Sequence, residues 1–255
     1  MRTVAIVQAR MSATRLPGKV LADVCGEPMI RRQMDRMLRA KFLDEIVVAI
    51  PDSSSDDVLA AYCVLRGWAV YRGSERDVLG RYLGAAEAAD AATVVRVTAD
   101  CPLIDPSVID ATIAMYLNGG FDFVANNLAH TFPHGLDVEV MSRGTLAIAA
   151  AKATLPFDRE HVTPWITAAH AGGAIFRLGN LPSPVDLSRY RLTVDFPEDL
   201  ELVRAIYERF NGPYYRFNGP YYFSTAEVIA FLGVRPDLTE LNAKHRRQAV
   251  PVGRA

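Results

Sequence analysis

Thr3-Val-Ala-Ile-Val-Gln-Ala-Arg-Met-Ser-Ala-Thr-Arg-Leu-Pro-Gly-Lys19 decides the fold. Its apolar run, residues 4–7, has the length of a strand and no alternation with polar residues, so it reads as a strand buried on both faces. The character then changes at once. Residues 10–19 hold three fixed cations (Arg10, Arg15, Lys19), two hydroxyls (Ser12, Thr14) and a glycine. A buried strand that runs into a cationic loop belongs to an open α/β sheet, where ligands sit beyond the carboxyl ends of the strands.

The chain downstream repeats the pattern. A helix is predicted over 28–40, with Pro28 suited to a first turn. Glu45-Ile-Val-Val-Ala-Ile50 is the next strand, closed by Pro51, and Asp52-Ser-Ser-Ser-Asp-Asp57 starts a helix that reaches Leu65. A short strand over 68–71, a helix over 77–90, a strand over 93–98 and a helix over 106–117 capped by Asp105 follow. Strand–helix alternation gives a parallel sheet covered on both faces. The expected fold is therefore α/β, a Rossmann-like three-layer α/β/α sandwich with a mostly parallel sheet and a small irregular subdomain in the second half. There, 136–140 alternates like a half-buried strand, 145–152 is an Ala-rich helix, and 159–170 reads as helical despite Pro164. Residues 175–176 and 190–194 read as strands, and 197–209 as a helix. No flexible linker intervenes, so 1–255 reads as a single domain. Arg209-Phe-Asn-Gly-Pro-Tyr-Tyr215 recurs unchanged over 216–222, which reads as a local duplication in an exposed Gly-Pro turn.

Composition narrows the function classes. With 255 residues, 50% hydrophobic and 22% charged, the chain is globular and long enough to build a core without staples. A net charge of −1 excludes non-specific nucleic-acid binding through a basic surface. Cys25, Cys63 and Cys101 lack zinc spacing and fit free thiols in a reducing compartment. The N-terminal apolar run is too short for a signal peptide and no stretch approaches a membrane span, so a cytoplasmic address is expected.

The basic loop is not a Walker A loop: Ala13 stands where the first glycine belongs, and Val20 replaces the Ser or Thr. Taken alone it is either an anion-binding nest or a solvated basic surface. Its full string, from Gln8 to Leu21, resembles the opening of the cytidylyltransferase family that includes the CMP-Kdo and CMP-sialic-acid synthetases. The spore-coat-polysaccharide-type cytidylyltransferases are the nearest branch. The resemblance continues through Tyr71-Arg-Gly-Ser-Glu-Arg-Asp-Val-Leu79, Val95-Arg-Val-Thr-Ala-Asp-Cys-Pro-Leu-Ile-Asp105, His134-Gly-Leu-Asp-Val-Glu139, Arg159-Glu-His-Val-Thr-Pro164 and Thr193-Val-Asp-Phe-Pro-Glu-Asp199. It spans nearly the whole chain.

The resemblance implies transfer of CMP from CTP to a small anionic acceptor, a sugar acid, with pyrophosphate released for surface polysaccharide or glycan synthesis. It implies a homodimer, with a nucleotide-binding half over about 1–120 and an acceptor-binding or dimerisation extension over about 121–190. Ala9, Arg10, Ser12, Arg15 and Lys19 look like the triphosphate-binding loop, and Arg76 resembles a further nucleotide contact. Asp100 and Asp195 match the carboxylates that hold Mg²⁺, so Lys19, Asp100 and Asp195 form the implied catalytic set. This chain departs from the pattern at Thr98, where the sialic-acid and Kdo enzymes have a Gln near the base.

The residues themselves leave alternatives open. Asp100 is a metal ligand or a turn residue before Pro102; Asp195 is a metal ligand or the cap of the helix at Pro197. As ligands of one ion, 95 positions apart, they would lie together facing the loop. Asp137 and Glu139 fall on one face of the predicted strand, either a polar solvent face or a site for acceptor recognition or a second metal. His134 and His161 have no metal spacing, although Arg159 and His161 supply cations to meet an anionic acceptor. Two other acceptor classes, a phosphonate or a phosphorylated small molecule, fit the same chemistry. A metal-dependent glycosyltransferase would use Asp-x-Asp, to which Asp137-x-Glu139 comes nearest.

Overall fold

The computed structural model describes residues 1–171, 176–210 and 223–247. In chain order its strands are β1 (Thr3–Gln8), β2 (Asp23–Val24), β3 (Glu27–Pro28), β4 (Glu45–Pro51), β5 (Ala69–Gly73), β6 (Thr93–Thr98), β7 (Phe123–Ala125), β8 (Glu139–Ser142) and β9 (Leu178–Asn180). The α-helices up to residue 209 are α1 (Met29–Met37), α2 (Asp57–Leu65), α3 (Val78–Ala88), α4 (Pro106–Gly119), α5 (Arg143–Lys152), α6 (Pro156–His161), α7 (Pro164–Ala171) and α8 (Pro197–Arg209). Two more follow, Thr225–Gly233 and Pro236–Leu241.

Seven strands form one sheet in the order β5-β4-β1-β6-β8-β7-β9, while β2 and β3 make a separate hairpin. Neighbours from β5 to β6 are parallel. The second half continues this sheet: β8 runs antiparallel to β6 and β7, and β9 is parallel to β7. The period of two sorts each central strand between two cores. Ala5, Val7, Val48, Val95 and Val97 pack on one side with Ile30 and Met34 of α1 and Ile109 of α4. Val4, Ile6, Val47, Ala49 and Val94 pack on the other with Leu79 and Tyr82 of α3 and Leu146 of α5. The result is the expected three-layer α/β/α sandwich. A third apolar cluster, with Leu192, Val194, Leu200, Val203 and Tyr207, seats α8. Among the described residues no helix is long and apolar enough to cross a membrane.

Several second-half expectations are corrected. The strand predicted over 136–140 begins only at Glu139. Before it, the buried Asn126 side chain donates to Leu136 O (2.7 Å) and accepts from Val138 N (2.8 Å), replacing ladder bonds. Helix 159–170 is broken into α6 and α7, because Val162 takes a left-handed φ of 74° and Pro164 restricts the residue before it. The predicted strand over 190–194 is an extended crossing with one bridge, Arg191 to His134. Its buried Leu192 and Val194 supplied the apolar signal. The strand expected at 175–176 is replaced by β9; Ile175 lies outside the described residues, as does the tandem repeat beyond Phe210.

Candidate active site

The basic loop is pinned at both ends. At its start, Met11 N donates to Asp56 Oδ1 at 2.7 Å, and Asp56 is fully buried. At its end, Gly18 N donates to Met11 O at 2.9 Å. Gly18 turns the chain with φ 71°, into the short 3-10 helix Lys19–Leu21. Val20, 2% exposed, anchors that turn in the core, so Lys19 leaves a fixed backbone.

Lys19 Nζ donates to Val194 O (2.6 Å), Asp195 Oδ1 (2.9 Å) and Asp100 Oδ2 (3.2 Å). The structure thus brings Asp100 and Asp195 together on one ammonium, facing the loop. The backbone fixes the approach: Val194 N donates to Asp100 O at 2.8 Å, and Thr193 Oγ1 to the same oxygen at 3.0 Å. Asp100 Oδ1 also accepts from Thr98 Oγ1 at 2.6 Å. Asp195 receives Arg191 at 3.0 Å and lies 3.4 Å from Arg15. Burial acts to raise the Asp195 pKa, but Lys19, Arg191 and Arg15 outweigh it and hold the carboxyl at about 2. Burial would lower the Lys19 pKa, yet the two carboxylates raise it. The helix-cap alternative for Asp195 is not realised. Asp199 serves the start of α8, its Oδ2 accepting from Asp195 N (2.9 Å) and Phe196 N (3.0 Å).

A cleft of about 290 Å³ opens beside this cluster, lined among others by Gln8, Ala9, Arg10, Arg15, Lys19, Arg96 and Asp195. Thr98, Asp100, Glu160 and His161 also face it. Ser12 and Arg76 do not line it. Ser12 is exposed and donates to Glu75 (2.7 Å), and Arg76 is exposed on the turn before α3. Arg159 is also turned elsewhere. It forks onto Asp77 (2.8 and 2.6 Å) and donates to Ala150 O and Ala153 O, fastening α6 to α3 and α5.

A second cavity, of about 190 Å³, shares Arg96, Thr98 and Asp100 with the first. Asp137 and Glu139 line it, but not as a polar solvent face. Glu139 is 7% exposed and bound to Arg96 at 2.7 Å, while Asp137 precedes the strand and pairs with Arg247 at 3.0 Å. His134, also on this cavity, accepts at Nδ1 from Arg191 (3.0 Å); burial, then Arg247, press its pKa down to about 4, so the ring is neutral.

Several lining residues escaped the sequence reading, Arg96, Gln8, Asn127 and Arg247 among them. Arg96 had a signal, as the one charge inside Thr93-Val-Val-Arg-Val-Thr98. Gln8 is the last residue of β1, and its buried Oε1 finds no partner among the described residues. Arg247 had none.

A divalent cation would find here two carboxylates with oxygen donors only. Among the described residues no group of three or more His, Cys, Asp or Glu side chains is placed to hold a metal. Hard Mg²⁺ commonly binds through one or two carboxylates and takes its remaining ligands from phosphates and water, so the Asp100–Asp195 pair fits an ion that arrives with a phosphorylated ligand.

Residues 4–216 match the family model described as cytidylyltransferase. The chain is 34% identical over 239 residues to the spore coat polysaccharide biosynthesis protein SpsF of Bacillus subtilis (strain 168), covering 91% of this chain and 94% of that protein. It is 27% identical over 216 residues to the 3-deoxy-manno-octulosonate cytidylyltransferase of Chlamydia trachomatis serovar A, covering 80% and 82% of the two chains. A solved cytidylyltransferase from Leptospira borgpetersenii superposes with a TM-score of 0.86 at 29% identity, over 98% of this chain and 99% of its own. With a pinned cationic loop facing paired carboxylates inside that matched span, the chain belongs to the cytidylyltransferase family and is a nucleotidyltransferase.

Proposed function

We propose that this enzyme transfers CMP from CTP to a small anionic acceptor, a sugar acid used for surface polysaccharide or glycan synthesis, and releases pyrophosphate. One observation carries the reading: Lys19 joins Asp100 to Asp195 at the mouth of the pinned cationic loop. Two similar proteins supply the acceptor class, one named for spore coat polysaccharide biosynthesis and one for 3-deoxy-manno-octulosonate. The same reading puts the enzyme in the cytoplasm, as a homodimer for which the exposed Leu155 and Phe157 offer apolar contacts.

In nucleotidyl transfer an acceptor oxygen attacks the α-phosphorus in line. One P–O bond forms, the bond to pyrophosphate breaks, and the acceptor hydroxyl gives up its proton to water. Positioning and charge stabilisation supply most of the catalysis. Arg10, Arg15 and the backbone amides of the loop bind the triphosphate and offset the charge that gathers on the departing pyrophosphate. Asp100 and Asp195 would hold Mg²⁺, which when bound neutralises phosphate charge and acts as a Lewis acid. Lys19 keeps both carboxylates turned to the same point, and the depressed Asp195 pKa keeps that ligand anionic at neutral pH.

The test is a pyrophosphate-release screen of the four nucleoside triphosphates against ulosonic acids, aldoses and phosphonates. Release that requires CTP and a sugar acid, stops in chelator and returns with Mg²⁺ is the expected result. Equal turnover of all four nucleotides, or full activity in chelator, would overturn it.

A further inference from the structure

The second cavity has one wall in common with the nucleotide cleft and, at its rim, a residue from outside the matched family span. The match ends at residue 216, and Arg247 lies well beyond it. Its guanidinium reaches back to Asp137 Oδ2 at 3.0 Å and His130 Nδ1 at 3.1 Å. The approach is firmly moored. Asn242 donates to Asp199 and to Arg191 O, and the His245 ring stacks on Phe196 with centroids 3.6 Å apart and planes 3° from parallel. Phe196 adjoins Asp195, so one C-terminal segment packs on the neighbour of a cluster carboxylate and also reaches the cavity rim.

The lining has a definite chemistry. Arg247 is 36% exposed and commits two of its nitrogens, so a guanidinium with five donors still has protons to offer. Glu139 is held by Arg96, and Asn127 lies beside it at 3.4 Å. Asp137 and Asn127 can meet sugar hydroxyls, and the planar fork of an arginine matches a carboxylate. Asp100 is the point of contact with the nucleotide side.

We propose that the second cavity is the acceptor subsite and that Arg247 selects an acceptor bearing a carboxylate beside its hydroxyls. The assignment rests on the CMP-transfer reading above. It makes acceptor choice a property of a segment that lies outside the family match, so a member with a different residue at this rim would take a different acceptor.

The test is calorimetric titration of the full chain loaded with Mg²⁺ and α,β-methylene CTP, which blocks turnover. The probes are 3-deoxy-manno-octulosonate, N-acetylneuraminate and mannose; the proteins are the unaltered chain, Arg247→Met and Arg247→Lys. At least one acid should bind the unaltered chain and bind Arg247→Met at least tenfold more weakly, with partial recovery in Arg247→Lys. Mannose should not bind measurably, and the affinity for the CTP analogue should agree within twofold across all three proteins, which also reports intact folding. Unchanged acid binding in Arg247→Met, mannose bound as tightly as the acids, or neither acid bound by the unaltered chain would overturn the assignment while leaving CMP transfer standing. Failure of the unaltered chain to bind the CTP analogue would instead bring down the parent reading, and this one with it.

Discussion

Lys19 spends its three ammonium protons on Val194 O, Asp195 and Asp100, so one cation holds two carboxylates that would otherwise repel. Replacing either aspartate by asparagine keeps the shape and removes an anionic ligand. We expect kcat to fall at least about a hundredfold, about 2.7 kcal/mol of transition-state stabilisation. Asp195→Asn should also cost stability, on the order of 1–3 kcal/mol, since its charge-assisted bonds to Lys19 and Arg191 weaken. Steady-state kinetics beside denaturant melts separate the two effects. Were either residue only a cap or turn residue, activity would survive, because asparagine caps nearly as well. At this scale the sequence named Lys19, Asp100 and Asp195 through matched strings, without revealing what they touch. Arg159 shows why that matters. Its matched position suggested an acceptor contact, but its donors go to Asp77, Ala150 and Ala153, partners that exist only once α3, α5 and α6 are packed.

Elements with a strong period were legible, and elements defined by their partners were not. The strands β1 and β4 follow from unbroken apolar runs, β6 from a run interrupted by Arg96 alone, and the helix α8 from a proline at its first turn. The segment 190–194 has the composition of a strand, but it crosses the carboxyl end of the sheet and answers to His134 and Asp100 instead. That crossing depends on Gly135. Its φ is 108°, and a Cβ there would come within 2.5 Å of Thr193 N and 2.6 Å of Leu192 C. Gly135→Ala would force the two backbones apart beside Asp100. The backbone conformation alone costs about 1–3 kcal/mol, and the clash adds to it. A thermal midpoint lowered by several degrees, with a reduced rate in the surviving protein, is the expected outcome; an unchanged melt would show that the crossing yields without effort.

Across the whole molecule, the second half extends the sheet of the first, and the second cavity sits at the join where β8 meets β6, with Arg96 of one strand and Glu139 of the other in its lining. Stability should register this through His134. Burial, with Arg247 beside it, lowers its pKa from 6.5 to about 4, so between those values the unfolded chain binds a proton that the folded chain refuses. The contribution is fully present above pH 6.5 and fades as pH falls toward 4, by about 3 kcal/mol at most. His134→Gln should flatten that stretch of the curve; denaturant unfolding at pH 7.5, 5.5 and 4.5 reads it, and an equally steep decline in the variant would assign the loss to other groups. The wall common to the two cavities carries a kinetic consequence under the proposed reading. A donor and an acceptor on either side of Asp100 must be aboard together. Cys101, the thiol beside Asp100 in the second cavity, is kept protonated by burial and by Asp100, which makes it a poor nucleophile. The nucleotidyl group should then change hands once. Initial-rate lines for the two substrates should intersect, and CTP made chiral with sulfur at the α-phosphorus should give product of inverted configuration. Parallel lines or retained handedness would mean that the group pauses on the protein.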